Sequence, residues 1–315
     1  MQIAADREAG KRVHWVVRGV GERTTTACRT LVAEAAGGAP VELIREVPFE
    51  RAVRRTWESG RESGKEWTVC LDADVLVDPS ALRSLLGEAL ATDAATFCVQ
   101  GLVLDYLIPV LRPAGIHLYR NSYAAEALAC IPEPGTSARP ETATNLRLID
   151  RHRVFRQSAT VIGVHDFGQA YIDLYRKGLV HAQKHADVWP LLAANWHRRA
   201  PTEPDIQAAL LGAAAIPDLE PLRIDVRYGA DQGATALRAA GMLPKPPLPS
   251  TEYDAGWVRE QLLHFATDDE LQLRRFDRFD RMTEQGRRPT SWQRLRRMAR
   301  RRLGAWKRMV IKTKL

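Results

Sequence analysis

No apolar run in this 315-residue chain approaches the roughly 20 residues that a membrane-spanning helix requires, which argues against a helical integral membrane protein. Nor does the stretch from Met1 to Lys11 carry the charged, apolar and small-residue succession of a secretory leader. Cysteine is sparse: Cys28, Cys70, Cys98 and Cys130 stand far apart, with no CxxC pair. They offer neither a zinc cluster nor a disulfide framework, so a reducing cytoplasm is the expected setting. There is no internal repeat. The most informative absence is local. From Arg287 to Leu315 there is no Asp or Glu, against nine arginines and three lysines.

Taking those twelve positive charges from the formal net of +8 leaves −4 for the rest. The chain is a mildly acidic body with a strongly basic tail, so a localised anionic partner is expected rather than a generally basic surface. With 45% apolar and 27% charged residues, the composition is that of a soluble globular protein. Its length allows one large domain with an appendage. Arginine in excess of lysine, with abundant alanine, fits a GC-rich bacterial genome and bears little on function.

The N-terminal part alternates strands and helices at short spacing. Val13 to Arg18 reads as a strand, Glu22 to Ala36 as a helix, and Val41 to Arg45 as a second strand. Pro48 opens a helix running to about Gly60, where a first-turn proline is tolerated. Trp67 to Leu71 is a third strand, and Asp78-Pro79-Ser80 caps a helix over Ala81 to Leu90. This succession predicts an α/β fold with a parallel sheet and right-handed crossovers. Ala95 to Val103 and Gly115 to Tyr119 read as further strands, Ser122 to Cys130 as helical, and the proline-rich Ile131 to Pro140 as a loop that could cover a site. Ala159 to Val164 reads as a strand ending at His165-Asp166, followed by a helix from Gln169 to His185 and helical sequence over 187–214. Asp218 to Ser250 has no readable pattern. Tyr253 to Arg275 and Trp292 to Lys312 read as two last helices.

The third strand delivers Leu71-Asp72-Ala73-Asp74-Val75. So apolar a strand belongs inside a sheet covered on both faces, and its carboxyl end is where open α/β sheets place ligands. Two carboxylates so close repel each other and invite a divalent cation. Read without context, the same string is an ordinary solvated strand end.

With the two βα units before it, this motif resembles the nucleotide-binding half of the GT-A glycosyltransferases, family-2-like enzymes that present a DxD motif after a hydrophobic strand. The likeness covers the first third of the chain well and the rest loosely. It implies a GT-A-like domain over residues 11–250 and a helical extension over 251–315 ending in a basic amphipathic helix. It implies a UDP- or GDP-sugar donor, a glycan or lipid-linked acceptor, and Mn2+ or Mg2+. Asp72 would contact ribose or the metal shell and Asp74 would bind the metal, which would bridge the donor phosphates. A haloacid-dehalogenase-type phosphatase also carries DxD, with its first aspartate as nucleophile. Here Leu76 replaces that family's hydroxyl, and the motif lies on a later strand. A degenerate transferase fold serving as a membrane scaffold is the non-enzyme alternative.

Arg18-Gly19-Val20-Gly21-Glu22-Arg23-Thr24 sits in the strand-to-helix context of a dinucleotide fingerprint, but Thr24 takes the place of its third glycine. Glu46, just past the second strand, could serve as the ribose-binding acid. In the transferase reading Arg18, Arg23, Glu46 and the helix carrying Arg55 lie along the nucleotide. His165 is the expected further metal ligand, and its imidazole favours Mn2+. An inverting transfer needs a carboxylate base, and Asp105, Asp166 and Glu141 are the candidates. Asp166 could equally be a helix cap. His181 and Lys184 could bind phosphate, though a cationic helix end offsetting the macrodipole explains them more simply.

In the tail, Trp292, Leu295, Ala299, Leu303, Trp306 and Val310 recur at helical spacing among the arginines. A basic helix with tryptophans on its apolar stripe suits an anionic membrane surface. A docked helix with a solvated basic face, or a nucleic-acid arm, is less favoured. The expected location is the cytoplasm, peripheral at the inner face of the membrane.

Overall fold

The computed structural model describes residues 11–137, 139–185, 188–215, 229–249 and 252–273. The basic tail lies outside the described residues. The alternation read from the N-terminal sequence is present: β1 (Val13–Arg18), α1 (Thr25–Ala35), β2 (Val41–Ile44), α2 (Phe49–Glu62), β3 (Trp67–Asp72), β4 (Val75–Val77) and α3 (Pro79–Leu90). Asp78 caps α3 as its position predicted, accepting from the backbone N–H groups of Ser80 and Ala81. The chain continues through β5 (Thr96–Asp105), β6 (Leu111–Arg112), β7 (Ile116–Arg120), α4 (Ala124–Leu128), α5 (Pro140–Asp150) and β8 (Val154–His165). Five further helices follow: α6 (Tyr171–Lys184), α7 (Trp189–Arg199), α8 (Pro204–Ala214), α9 (Ala230–Ala239) and α10 (Ala255–His264).

The strands form one mixed sheet in the order β2-β1-β3-β7-β5-β8-β4, with β6 beside β5. β1, β2 and β3 are parallel, joined by helical crossovers. β7 then runs antiparallel between β3 and β5, and β8 lies parallel to β5. The short β4, not read from the sequence, turns back beside β8, pairing Val75 with His165. That pairing brings the segment after β3 against the end of β8, so two loops distant in sequence meet at one edge.

Each face of the sheet carries its own core. One packs Val17, Leu71, Leu76 and Ile162 against α1, α3 and Val258 of α10. The other packs Val16, Cys70, Phe97 and Tyr119 against Trp57 of α2 and Leu148 of α5. Val258 thus belongs to the main core although it lies past residue 250. A third cluster joins α6 through α9 around Leu174, Trp196 and Ile206. Among the described residues no helix is long and apolar enough to cross a membrane.

Candidate metal centre and active-site cavity

The turn after β3 is held by its backbone. The Ala73 N–H donates to the Arg18 carbonyl at 2.8 Å and the Asp72 N–H to that of Gly115 at 2.8 Å. Gly115 has φ +60°, and a Cβ there would press on Val75 and Asp72, so glycine is required where β7 begins. Thr24, the residue that breaks the glycine fingerprint, donates its hydroxyl to the Ala73 carbonyl at 2.7 Å. The Asp166 N–H donates to the Asp74 carbonyl at 3.0 Å, clamping the two acidic loops together. Asp166 itself sits at φ +69°, a left-handed conformation that few side chains other than Asp and Asn tolerate.

Asp74, His165 and Asp166 converge, each offering a ligand atom within 4.8 Å of the others. Lys177 of α6 reaches them from the opposite side, bonding Asp74 Oδ2 at 2.5 Å and also Asp166 Oδ1. The remaining oxygens, Asp74 Oδ1 and Asp166 Oδ2, are buried and accept no hydrogen bond, with only the His165 imidazole near them, at 3.6 and 3.2 Å. Such atoms are costly unless something binds them. His165 Nδ1 lies 2.7 Å from Asp105 Oδ2, which leaves Nε2 directed toward Asp74 Oδ1 at 3.6 Å. Asp105 is in turn fixed by Arg112 Nε at 2.7 Å and by the Ile108 N–H at 2.6 Å. A carboxylate behind a histidine is the usual support of a metal-binding imidazole.

The charges fit a divalent cation. Burial opposes ionisation of Asp74, but Lys177 and His165 outweigh it and hold its carboxyl well below the usual range. Burial likewise opposes charge on Asp105, which Arg112 and His165 stabilise. The His165 imidazole loses charge to burial, yet Asp166, Asp74 and Asp105 raise its pKa above the ordinary value. Alongside lies a second network. Arg18, buried, donates to Asp72 at 2.8 Å and to both oxygens of Glu141 at 2.7 and 3.2 Å. Burial, against the pull of Arg18 and with Glu141 and Asp74 adding to it, pushes Asp72 up to about 6. Across the two networks five carboxylates (Asp72, Asp74, Asp105, Asp166, Glu141) face three fixed cations (Arg18, Arg112, Lys177). With two oxygens and an imidazole nitrogen, the donor set suits Mn2+ better than Mg2+.

All of these groups except Asp105 line a cavity of about 390 Å3 that also takes in Ile44, Glu46, Val47 and Phe49 from the ends of β2 and α2. The expected residues distribute unevenly. Asp74 and His165 meet, Asp166 joins them as a third candidate ligand, and Asp72 stands beside this set, tied to Arg18. Arg18 lines the cavity with its guanidinium engaged by the two carboxylates. Glu46 also lines it and pairs with Arg51 at 2.7 Å. Arg23 bonds the carbonyls of Gly168 and Pro246 at 2.9 Å, and Arg55 pairs with Glu62 and Glu42; neither lies in the cavity wall. Asp105 is sealed behind His165. A nucleophilic role for Asp72 finds no support, since Arg18 holds it and Leu76 is buried in the core. His181 and Lys184, explained above by the helix dipole, line the cavity together with His185. Lys177 and Arg112 were not anticipated: a lysine in a helix and an arginine in a two-residue strand carry no motif.

No family model matches this chain, and no curated protein matches it. Among solved structures, a mannosyltransferase from Pyrobaculum calidifontis in complex with GDP-Man and Mn2+ aligns at 13% identity and TM-score 0.39, covering 87% of this chain and 85% of that one. A glycosyltransferase involved in the glycosylation of the major capsid of PBCV-1 aligns at 15% identity and TM-score 0.34, over 47% of this chain and 81% of that one. A cytidylyltransferase from Leptospira borgpetersenii aligns at 11% identity and TM-score 0.34, over 47% and 76%.

Proposed function

We propose that this protein is a metal-dependent glycosyltransferase that moves a sugar from a UDP- or GDP-sugar to a glycan or lipid-linked acceptor at the cytoplasmic face of a membrane. The observation that carries the reading is the convergence of Asp74, Asp166 and His165 beside the carboxyl end of β3, with Asp74 Oδ1 and Asp166 Oδ2 buried, accepting no hydrogen bond and facing only the imidazole. A Mn2+ or Mg2+ ion held there would stabilise the charge that develops on a departing diphosphate. Lys177 fixes the outer carboxylate oxygens so that the inner ones face each other. Asp105 orients His165 and is a positioning residue rather than the base. Asp166 acts as a ligand. Ile44, Val47 and Phe49 give the nucleoside an apolar crevice, with Glu46 within reach of its ribose. The domain would span residues 11–250 with 251–315 appended, α10 packing back onto it.

Thermal denaturation with UDP or GDP, with and without Mn2+, tests the donor half, because ligand binding to the native state raises its stability. A nucleotide shift that requires the metal is expected, and it should disappear in Asp74→Ala together with donor turnover. Wild-type turnover in a folded Asp74→Ala variant would sink the reading.

A further inference from the structure

The cavity is larger than a metal and a diphosphate require, and its far end has a different chemistry. There β5 and β7 meet in antiparallel register, bringing Gln100 beside His117, whose Nε2 lies 3.0 Å from the Gln100 amide nitrogen. Leu146 and Ile149 of α5, with Phe155 at the start of β8, supply apolar wall around them. Asn145 of α5 lies in the same wall, 6% exposed, and its side-chain carbonyl has no partner in the protein. His117 is 7% exposed, and its Nδ1 makes no hydrogen bond, with Glu141 Oε1 3.4 Å away.

Charge separates this end from the metal centre. The His117 ring is hydrogen-bonded through Nε2 to an amide donor, so that nitrogen is the acceptor and the ring is neutral. Its burial pushes its pKa down to about 4, against the pull of Glu141. Glu141, the nearest acid, is held by Arg18 and by the Tyr119 hydroxyl at 2.9 Å. A diphosphate or a carboxylate would find no unengaged cation among Gln100, His117 and Asn145. A purely aliphatic chain would leave the Asn145 side-chain carbonyl without a hydrogen bond. The occupant that satisfies both is an uncharged ring with one apolar face and a hydroxylated edge.

We infer that this end of the cavity, bounded by β5, β7, β8 and α5, is the acceptor subsite, and that it takes a neutral pyranoside. The inference rests on the transferase reading and names its acceptor chemistry. The sugar's apolar face lies against Phe155, Leu146 and Ile149. Its hydroxyls meet Asn145, Gln100 and His117, and the groove leads toward the metal centre. None of these three polar groups carries a charge, so a neutral sugar is favoured over an acidic one.

Saturation-transfer NMR on the full chain provides the test, with methyl β-D-glucopyranoside, methyl α-D-mannopyranoside and methyl β-D-galactopyranoside as neutral probes and D-glucuronate as the charged one. At least one neutral pyranoside should bind and glucuronate should not. Leu146→Trp, which fills the groove, and Asn145→Leu, which removes the amide, should each weaken that binding at least tenfold. Circular dichroism checks that both fold, and the two variants need not share a folding defect. No binding by any neutral pyranoside would overturn the proposal, as would tighter binding of glucuronate or unchanged binding in the folded variants. Wild-type protein with Mn2+ and UDP or GDP reads the donor half separately. If the pyranoside binds while neither nucleotide does, the transferase reading fails and the sugar site stands. If the nucleotide binds and the pyranosides do not, the acceptor assignment alone fails.

Discussion

Two buried residues decide how the cavity is built, and each makes a measurable prediction. Glu141 joins the start of α5 to β1 through Arg18 and to β7 through Tyr119. Burial disfavours its charge, but Arg18 outweighs burial and holds the carboxyl at about 2 instead of 4.5. A folded-state value below the unfolded one gives stability that is complete above pH ~4.5 and lost as pH falls toward ~2, roughly 3 kcal/mol in all. Glu141→Gln should therefore flatten the acid limb of a stability-versus-pH curve between those values. Urea midpoints that fall as steeply as those of the wild type would contradict it. The second residue is Asp105, fully buried against Arg112 and His165. Asp105→Asn removes the charge that orients the imidazole, and Mn2+ affinity should fall about 10–100-fold, as read by electron paramagnetic resonance titration of the free ion. Wild-type affinity in the folded variant would show that His165 needs no such support.

At the scale of elements, what was legible followed period and punctuation. Val13 to Arg18 and Trp67 to Leu71 are apolar on both faces because the sheet is covered on both, and the glycines and prolines between them mark real turns. The elements that were missed lack those signals. β4 is three residues long and reads as the tail of the DxD segment. α5 begins at Pro140, where the sequence reading ended a loop, and exposes little periodicity because Glu141 and Asn145 lie on its buried side. Asp166 and Lys177 could be brought together with Asp74 only by tertiary pairing: β4 on β8, and α6 across both. The position of α6 depends on glycine. Gly178, next to Lys177, lies against the Ala209 backbone, and Gly212 of α8 lies against that of Tyr175, so the two helices touch backbone to backbone. A methyl group at 178 would meet the Ala209 carbonyl. Gly178→Ala should cost about 1–3 kcal/mol by overpacking, although alanine is the better helix former in isolation. An unchanged or raised urea midpoint would contradict this close approach.

At the scale of the whole molecule, charge is divided unequally. The body, net −4, cannot by itself be drawn to an anionic surface, while the segment from Arg287 onward carries twelve positive charges and no negative one. Each basic residue near an anionic bilayer contributes about 1 kcal/mol, and the attraction decays over about 8 Å at physiological salt. If the protein associates with a membrane as proposed, this segment would supply the attraction, and binding by it should weaken steeply as salt rises. The tryptophans at 292 and 306 would add apolar insertion that salt does not screen. In the proposed function donor chemistry would depend on Asp74, His165 and Asp166, all of which lie in the body. Deleting residues 287–315 should accordingly abolish co-sedimentation with phosphatidylserine-containing vesicles and leave hydrolysis of a soluble nucleotide-sugar intact. In the full chain, raising salt from 0.05 to about 0.5 M should release most of the bound protein from those vesicles. Vesicle binding that survives the deletion would locate the membrane contact on the body, and loss of donor hydrolysis would mean that the tail contributes to the site.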